Sequence, residues 1–226
     1  MAKESLKLIA YNTIREKIIK CEYAPGDMLN EDAIRESLGI SRTPIRDALS
    51  RLEQEGLINI KAKQGIQITP LSVGDINKVF EVRLLYEPYI LLNYGQLIPQ
   101  ERLEHFYNLF LETSQHEGHI PHEKKDEFYQ LDSDFHFLIV TSCSNQYFLQ
   151  SYNIIMAQDA RFRHLTGNCS TSRILATSRE HLDILRHTLQ NDWKAASESM
   201  AEHILQSKKA TFDLILSSEK LNQMYL

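Results

Sequence analysis

The sequence predicts a mostly α-helical chain in two parts. The first, residues 1–70, holds three short helices and a small β-hairpin; the second, 71–226, is an all-α antiparallel helical bundle. Three observations predict this. Apolar residues recur at helical spacing along most of the chain. Strand-like alternation is confined to one short stretch near residues 57–69. Only eight glycines and six prolines punctuate 226 residues, which leaves long segments free to be helical.

Leu6, Ile9, Ala10, Ile14 and Ile18 line one face of a helix over 6–19, and Pro25-Gly26 is a turn signal beyond it. Asn30 can accept hydrogen bonds from the free N–H groups of a second helix, whose positive end suits Glu31 and Asp32. Ala33, Ile34 and Leu38 form its inner face, and Gly39 stops it. Thr43-Pro44 opens a third helix, because proline in the first turn gives up no needed donor. Ile45, Leu49 and Leu52 carry its apolar stripe to Gly56.

By spacing alone this helix pair is either a helix-turn-helix or an ordinary helical corner. The neighbouring segment favours the first. Leu57-Ile58-Asn59-Ile60 and Ile66-Gln67-Ile68-Thr69 alternate apolar and polar residues around Lys61-Ala62-Lys63-Gln64-Gly65. That is a hairpin with a basic tip, and helices followed by such a hairpin make a winged helix-turn-helix. After Pro70, Leu71 and Ile76 flank a capping Ser72 at hydrophobic-staple positions. Helical periodicity then continues over roughly 72–95 (kinked near Pro88), 98–116, 121–142, 145–166, 170–189 and 192–217.

Charge is divided unevenly. Residues 1–70 carry eleven Lys/Arg against ten Asp/Glu, whereas the remainder carries fourteen against twenty, within a net charge of −5. A slightly basic head on an acidic body suits a head that approaches phosphate. Arg42 and Arg46 lie one helical turn apart and can reach guanine edges or phosphates together. Ser41 and Thr43 hydroxyls, with the free N–H groups of the helix start at Pro44, can hold a phosphate. Lys63 and Gly65 at the hairpin tip can reach the backbone or minor groove beside them. The alternative is a solvated helix face. Cys21, Cys143 and Cys169 are odd in number and unpaired in spacing, as in reduced cytosolic proteins. With no signal-peptide pattern and no bilayer-length apolar run, a cytoplasmic location away from membranes is expected.

The runs Tyr11-Asn12-Thr13-Ile14-Arg15-Glu16-Lys17-Ile18-Ile19, Pro25-Gly26-Asp27-Met28-Leu29-Asn30-Glu31 and Leu38-Gly39-Ile40-Ser41-Arg42-Thr43-Pro44-Ile45-Arg46-Asp47-Ala48-Leu49 resemble the GntR family of bacterial regulators. Leu52-Glu53-Gln54-Glu55-Gly56-Leu57-Ile58 and Gly65-Ile66-Gln67-Ile68-Thr69 continue the likeness. One departure stands out: Asp32 occupies a place where some members carry a phosphate-contacting arginine, with Arg35 nearby. Phe80-Glu81-Val82-Arg83, Leu131-Asp132-Ser133-Asp134-Phe135-His136 and Ser144-Asn145 resemble the FCD effector domain of one GntR subgroup. The resemblance implies a homodimer that binds double-stranded operator DNA, acts as a repressor and responds to a small carboxylate-bearing metabolite, often through a bound metal.

Asp132 and His136 are i,i+4 on one helix and project together. His181 and His203 lie on successive helices, and at ~1.5 Å per residue an antiparallel pair brings them within about one turn of each other. By spacing, a buried salt bridge explains the Asp–His pair equally well. The four positions match the family's Asp-x-x-x-His…His…His pattern, and that resemblance implies a divalent transition metal, Zn²⁺ or Ni²⁺. Asp134 is on the wrong helical face, and His116, His119 and His122 read as a solvated cluster. Arg83 points inward, its partner being either Glu87 one turn on or the effector's carboxylate, which the resemblance favours. Arg161 and Arg163 lie on a helix expected to line the bundle and can assist. A metal sensor without an organic effector, and a metal-dependent enzyme, are the competing readings; no general base for the enzyme is legible.

Overall fold

The computed structural model describes residues 5–61, 64–116, 118, 120–165 and 170–217; Lys63, His119 and Cys169 lie outside them. The head comprises α1 (Leu6–Ile19), β1 (Met28–Leu29), α2 (Glu31–Leu38), α3 (Arg42–Gln54), β2 (Ile58–Lys61) and β3 (Gly65–Ile68). The body comprises α4 (Val73–Tyr94), a 3₁₀ turn at Gly95–Leu97, α5 (Gln100–Ser114), α6 (His122–Thr141), α7 (Gln146–Leu165), α8 (Thr171–Leu189) and α9 (Trp193–Ser217). No helix among the described residues is long and apolar enough to cross a membrane.

Local chemistry sets the helix ends. Asn30 Oδ1 accepts from the N–H groups of Asp32 and Ala33 at 2.9 and 3.1 Å, and Gly39 closes α2 at φ +64°, a left-handed conformation that costs a residue without Cβ nothing. Ser72 and Asp75 cap α4 reciprocally, and Leu71 and Ile76 beside them are buried. The third helix opens two residues earlier than Thr43-Pro44 suggests. It begins at Arg42 after Ser41, and Pro44 is its third residue. Proline is tolerated there for the same reason as at the first position: the opening N–H groups of a helix have no partner within it.

The hairpin expected over 57–69 is present but belongs to a three-stranded antiparallel sheet of order β1-β3-β2. Met28 pairs with Gln67 and Leu29 with Ile66. The sheet thereby closes onto the segment between α1 and α2.

Two hydrophobic cores form. One gathers Ile14, Ile18, Ile45, Leu49, Leu52, Ile58 and Ile68 from the head, together with Ala157 of α7. The other fills the bundle with Phe80, Phe110, Phe135, Tyr152, Leu185 and Ile204 among others. Helix α4 runs on through Pro88, whose carbonyl accepts from Ser197 Oγ of α9 at 2.9 Å. At the end of α4 the backbone comes against α9: a Cβ on Gly95 would lie 2.6 Å from Trp193 Cε3.

That close approach generates a prediction. Gly95→Ala should lower stability in urea unfolding by about 1–3 kcal/mol, the usual range for forcing atoms into a packed site. Gly74→Ala, where a Cβ meets only Ser72 Oγ at 3.5 Å in the first turn of the same helix, should be neutral or stabilising, because alanine is the better helix former. Equal losses at both sites would show that the Trp193 contact is not what excludes a side chain.

Candidate functional site

Four side chains converge in the bundle. Helix α6 supplies Asp132 and His136 from adjacent turns, α8 supplies His181 and α9 supplies His203. One ligand atom from each lies within 4.8 Å of all the others, and all four residues are buried. His181 Nε2 is 3.2 Å from His203 Nε2, which is 3.3 Å from His136 Nε2. Asp132 Oδ1 is 3.6 Å from His181 Nε2 and 3.9 Å from His136 Nε2. Asp134 is exposed and accepts from Gln130 instead.

The donor set fits a metal ion. An ion bound at about 2.0–2.1 Å to imidazole nitrogens in tetrahedral geometry has donor–donor separations near 3.3–3.4 Å. His136 Nδ1 is 2.5 Å from Glu87 Oε2, and His203 Nδ1 is 2.7 Å from Glu180 Oε2. Carboxylates at Nδ1 favour its proton there and leave the Nε2 lone pair facing inward. Burial, and then the neighbouring His203, push the His181 pKa well below the ordinary histidine value. Burial also lowers that of His203, against the opposing hydrogen bond it donates to Glu180. Both imidazoles are therefore neutral near neutral pH, the form that binds cations.

Buried and half-buried carboxylates and guanidiniums surround the cluster. Arg83 Nε donates to Glu87 Oε1 at 2.7 Å, Arg83 Nη1 is 3.3 Å from Asp159 Oδ1, and Arg83 Nη2 is 3.3 Å from His136 Nε2. Tyr152 donates to Glu87 at 2.8 Å. Arg163 pairs with Asp132, and with Asp159 at 3.1 Å. Arg173 grips both oxygens of Glu180 at 2.7 and 3.0 Å. Burial alone would raise the Glu87 pKa, but Arg83 and then His136 more than offset it and hold the carboxyl well below the usual range. Asp132 is depressed in the same way by Arg163 and the histidines, against its burial.

A cavity of about 60 Å³ adjoins the cluster, lined by Arg83, Asp159, Arg163, Arg173, Thr177 and Ser207 among others. Of the three arginines singled out from the sequence, Arg83 and Arg163 are thus brought together beside the cluster. Arg161 is not among the lining residues; its guanidinium donates to Thr69 O at 2.5 Å and Gln158 Oε1 at 2.8 Å, at the junction with the head. Sequence reasoning missed Tyr152, Asp159, Arg173 and Glu180. Asp159 stood four residues before Arg163, a spacing that could have revealed it.

The second candidate surface is the exposed face of α3. Ser41, Arg42, Thr43 and Arg46 are exposed, Pro44 is half-buried, and Ile45, Ala48, Leu49 and Leu52 turn inward. Arg42 donates to Asp32 at 3.2 Å and Arg46 to Glu31 at 2.9 Å. Asp32 also pairs with Arg35 at 3.4 Å. With 62% and 67% of the Arg42 and Arg46 side chains exposed, these pairs are water-screened and weak enough to be exchanged for phosphate. Gly65 is exposed at the start of β3, at φ +109°. His116 is exposed.

Residues 6–68 match the model of the bacterial regulatory proteins of the gntR family, and residues 78–206 match the FCD domain. The HTH-type transcriptional repressor RspR of Escherichia coli (strain K12) is 26% identical over 197 residues, covering 86% of this chain and 83% of that protein. The HTH-type transcriptional regulator YdhC of Bacillus subtilis (strain 168) is 27% identical over 197 residues, 85% of each. In structure, E. coli McbR/YncC superposes with a TM-score of 0.77 at 17% identity over 93% of this chain and 99% of that one. The metal-free FCD domain of TM0439 gives a TM-score of 0.56 at 20% identity over 66% of this chain and 99% of that one.

The buried ion network generates a prediction about acid stability. Glu87 has an ordinary value of 4.5 and a depressed folded value. Its contribution is therefore complete above about pH 4.5 and lost as pH falls towards the folded value. Glu87→Gln should cost about 3–5 kcal/mol near neutral pH, the penalty for breaking a buried charge pair. It should also flatten the fall in urea midpoint between pH 5 and pH 3, two values chosen to bracket the titration of an ordinary glutamate at roughly pH 4. A variant as stable as wild type would show that the Arg83–Glu87 pair adds nothing to folding.

Proposed function

The chain belongs to the gntR family of bacterial regulatory proteins and carries an FCD domain, and from that premise we propose a homodimeric repressor whose grip on operator DNA is set by a metal ion and a small carboxylate-bearing metabolite. The family consists of DNA-binding transcriptional regulators rather than enzymes. The observation that carries the finer reading is the buried convergence of Asp132, His136, His181 and His203 beside a cavity with three arginines. These four would hold Zn²⁺ or Ni²⁺, which would supply a cationic, Lewis-acidic anchor for a carboxylate.

In this reading the head spans 1–70 and the body 71–226. Arg42 and Arg46 contact DNA from α3, with Ser41, Thr43 and Pro44 at its start, Arg35 on α2, and Lys63 and Gly65 in the wing. Arg83 and Arg163 stand beside the metal ligands, each already paired to protein carboxylates. They hold those carboxylates in place and orient an incoming anion by exchanging one of these partners. With Arg161 committed to the junction, Arg173 replaces it in the effector-binding set. The gluconate operon repressor of Bacillus licheniformis, 28% identical over 142 residues, is named for an operon concerned with a small carboxylate; that covers 62% of this chain and 56% of that protein.

A second copy would seat on the exposed apolar strip of Leu85, Tyr89 and Leu92 on α4, with Tyr147 and Ile154 of α7 beside it. Phe148 joins the two helices, its ring centroid 4.9 Å from Tyr86 and 6.4 Å from Tyr89. A contiguous apolar face of this kind suits a two-fold contact between identical surfaces.

Three measurements test the reading. Elemental analysis and titration calorimetry should give one Zn²⁺ or Ni²⁺ per chain, with His181→Ala or His203→Ala weakening it by well over tenfold. A protein that binds neither ion would sink the metal half of the proposal. On operators selected from a random duplex library, Arg42→Ala or Arg46→Ala should each lose about 1–3 kcal/mol if it reads a base, or lower the salt slope by about one if it holds a phosphate. Wild-type affinity and slope in both variants would refute the assigned face. Leu85→Glu with Tyr89→Glu should yield monomers in analytical ultracentrifugation; a persisting dimer would move the interface elsewhere.

A further inference from the structure

Helix α7 has two edges that do different things. On one, Asp159 and Arg163, a turn apart, belong to the network around the metal-ligand cluster and line its cavity. On the other, Ala157, Gln158 and Arg161 meet the head. Ala157 is buried in the head's core. Gln158 Nε2 donates to Gly56 O at 3.4 Å, and the Arg161 carbonyl accepts from Cys21 Sγ at 3.6 Å. Arg161 Nη2 donates to Thr69 O, whose own N–H donates to Leu57 O at 3.0 Å. Gly56 and Thr69 lie just outside the wing, between α3 and β2 and after β3 respectively. Residues 159 and 161 are two apart, so their side chains leave a helix about 200° apart.

Beside this line of contact, which includes α1 packed on α7, the two parts leave a gap. That gap is a cleft of about 530 Å³ bordered by α1, α6 and α7 and lined by Asn12, Glu16, Ile19, Gln130, Ala160 and Arg163 among others. A head held along one edge and open along the next can pivot. Apolar contact at Ala157 can slide, whereas a hydrogen bond from a fully buried guanidinium to a carbonyl is directional and fixes orientation.

We propose that Arg161 is the positioning residue that ties the base of the wing to α7, so that a change around Asp159 and Arg163 is delivered to the reading helix as a rotation of the head. The tie stands on the geometry alone. The source of the change rests on the reading of the cluster as a metal and effector site.

The test uses full-length protein, Zn²⁺ as the probe, and hydrogen–deuterium exchange of residues 56–69 as the readout. Without Zn²⁺, Arg161→Ala should speed exchange in that segment at least about tenfold while α5 and α8 stay at wild-type rates. With Zn²⁺, calorimetry should give wild-type affinity in Arg161→Ala. The Zn²⁺-dependent change in head exchange, and in affinity for a library-selected operator, should fall from within the usual 5–150-fold range of coupling to less than about twofold. Arg161→Lys, which keeps the charge but not the planar fork, should lie between. Should Arg161→Ala fail to fold, Arg161→Lys and Gln158→Ala carry the same comparison. Wild-type exchange in the head of whichever variants fold would overturn the tie, and wild-type coupling would overturn its role in signalling. If wild-type protein binds Zn²⁺ but its head does not respond, delivery through Arg161 is wrong. If it binds neither Zn²⁺ nor Ni²⁺, the metal reading fails instead, and the metal-free comparison still decides the tie.

Discussion

Burying charge inside a helical bundle is the constraint on which the body depends. Arg83 and Glu87 are almost wholly removed from water, and so are Asp159 and His136. An ion taken out of water costs several kcal/mol unless partners replace its hydration. Here the partners are spread over five helices: Arg83 and Glu87 from α4, Asp132 and His136 from α6, Tyr152, Asp159 and Arg163 from α7, Arg173 and Glu180 from α8, His203 from α9. The bundle cannot shift one of these helices without leaving some charge unanswered. Apolar packing holds the helices together, and the ion network dictates their register.

The same constraint shapes the cluster of Asp132, His136, His181 and His203. Glu87 faces two ways, gripping Arg83 and Tyr152 with one oxygen and His136 with the other. Glu180 also bridges a guanidinium and an imidazole, Arg173 holding both its oxygens while His203 shares Oε2. Each carboxylate therefore both neutralises a guanidinium and orients an imidazole. His181 lacks this support, its Nδ1 being buried with no hydrogen-bond partner among the described residues. Its ring is held instead by Phe110 and Phe135, with centroids 4.5 and 4.9 Å away.

Much of this was legible in the sequence where a short-range rule governs it. The body helices fall within two residues of their expected ends, because each is bracketed by proline, glycine or a capping residue. That Asp132 and His136 project together was readable from i,i+4 spacing, and that His181 and His203 come close was readable from the turn near residues 190–191; that the four form one set came from the resemblance to the FCD domain. Strand β1 was not, since two residues cannot display an alternation. The Arg173–Glu180–His203 chain was not, since its last link crosses from α8 to α9 and depends on packing. Arg161 and Arg163 fall under the spacing rule that separates Asp132 from Asp134. Residues two apart cannot share a helical face, so only one of the two arginines could have faced the cluster.

Ala157 has a consequence for modularity. Its methyl group completes the head's core from a helix some ninety residues further along the chain, so the head's interior is not encoded entirely by the head's own sequence. A cassette cut at residue 70 and grafted onto another body would carry a methyl-sized void where α7 belongs, beneath the helices that present the reading face. Swapping specificities between such regulators thus requires transplanting a patch of the recipient's body as well, and any drift at residue 157 would have to be matched across the junction.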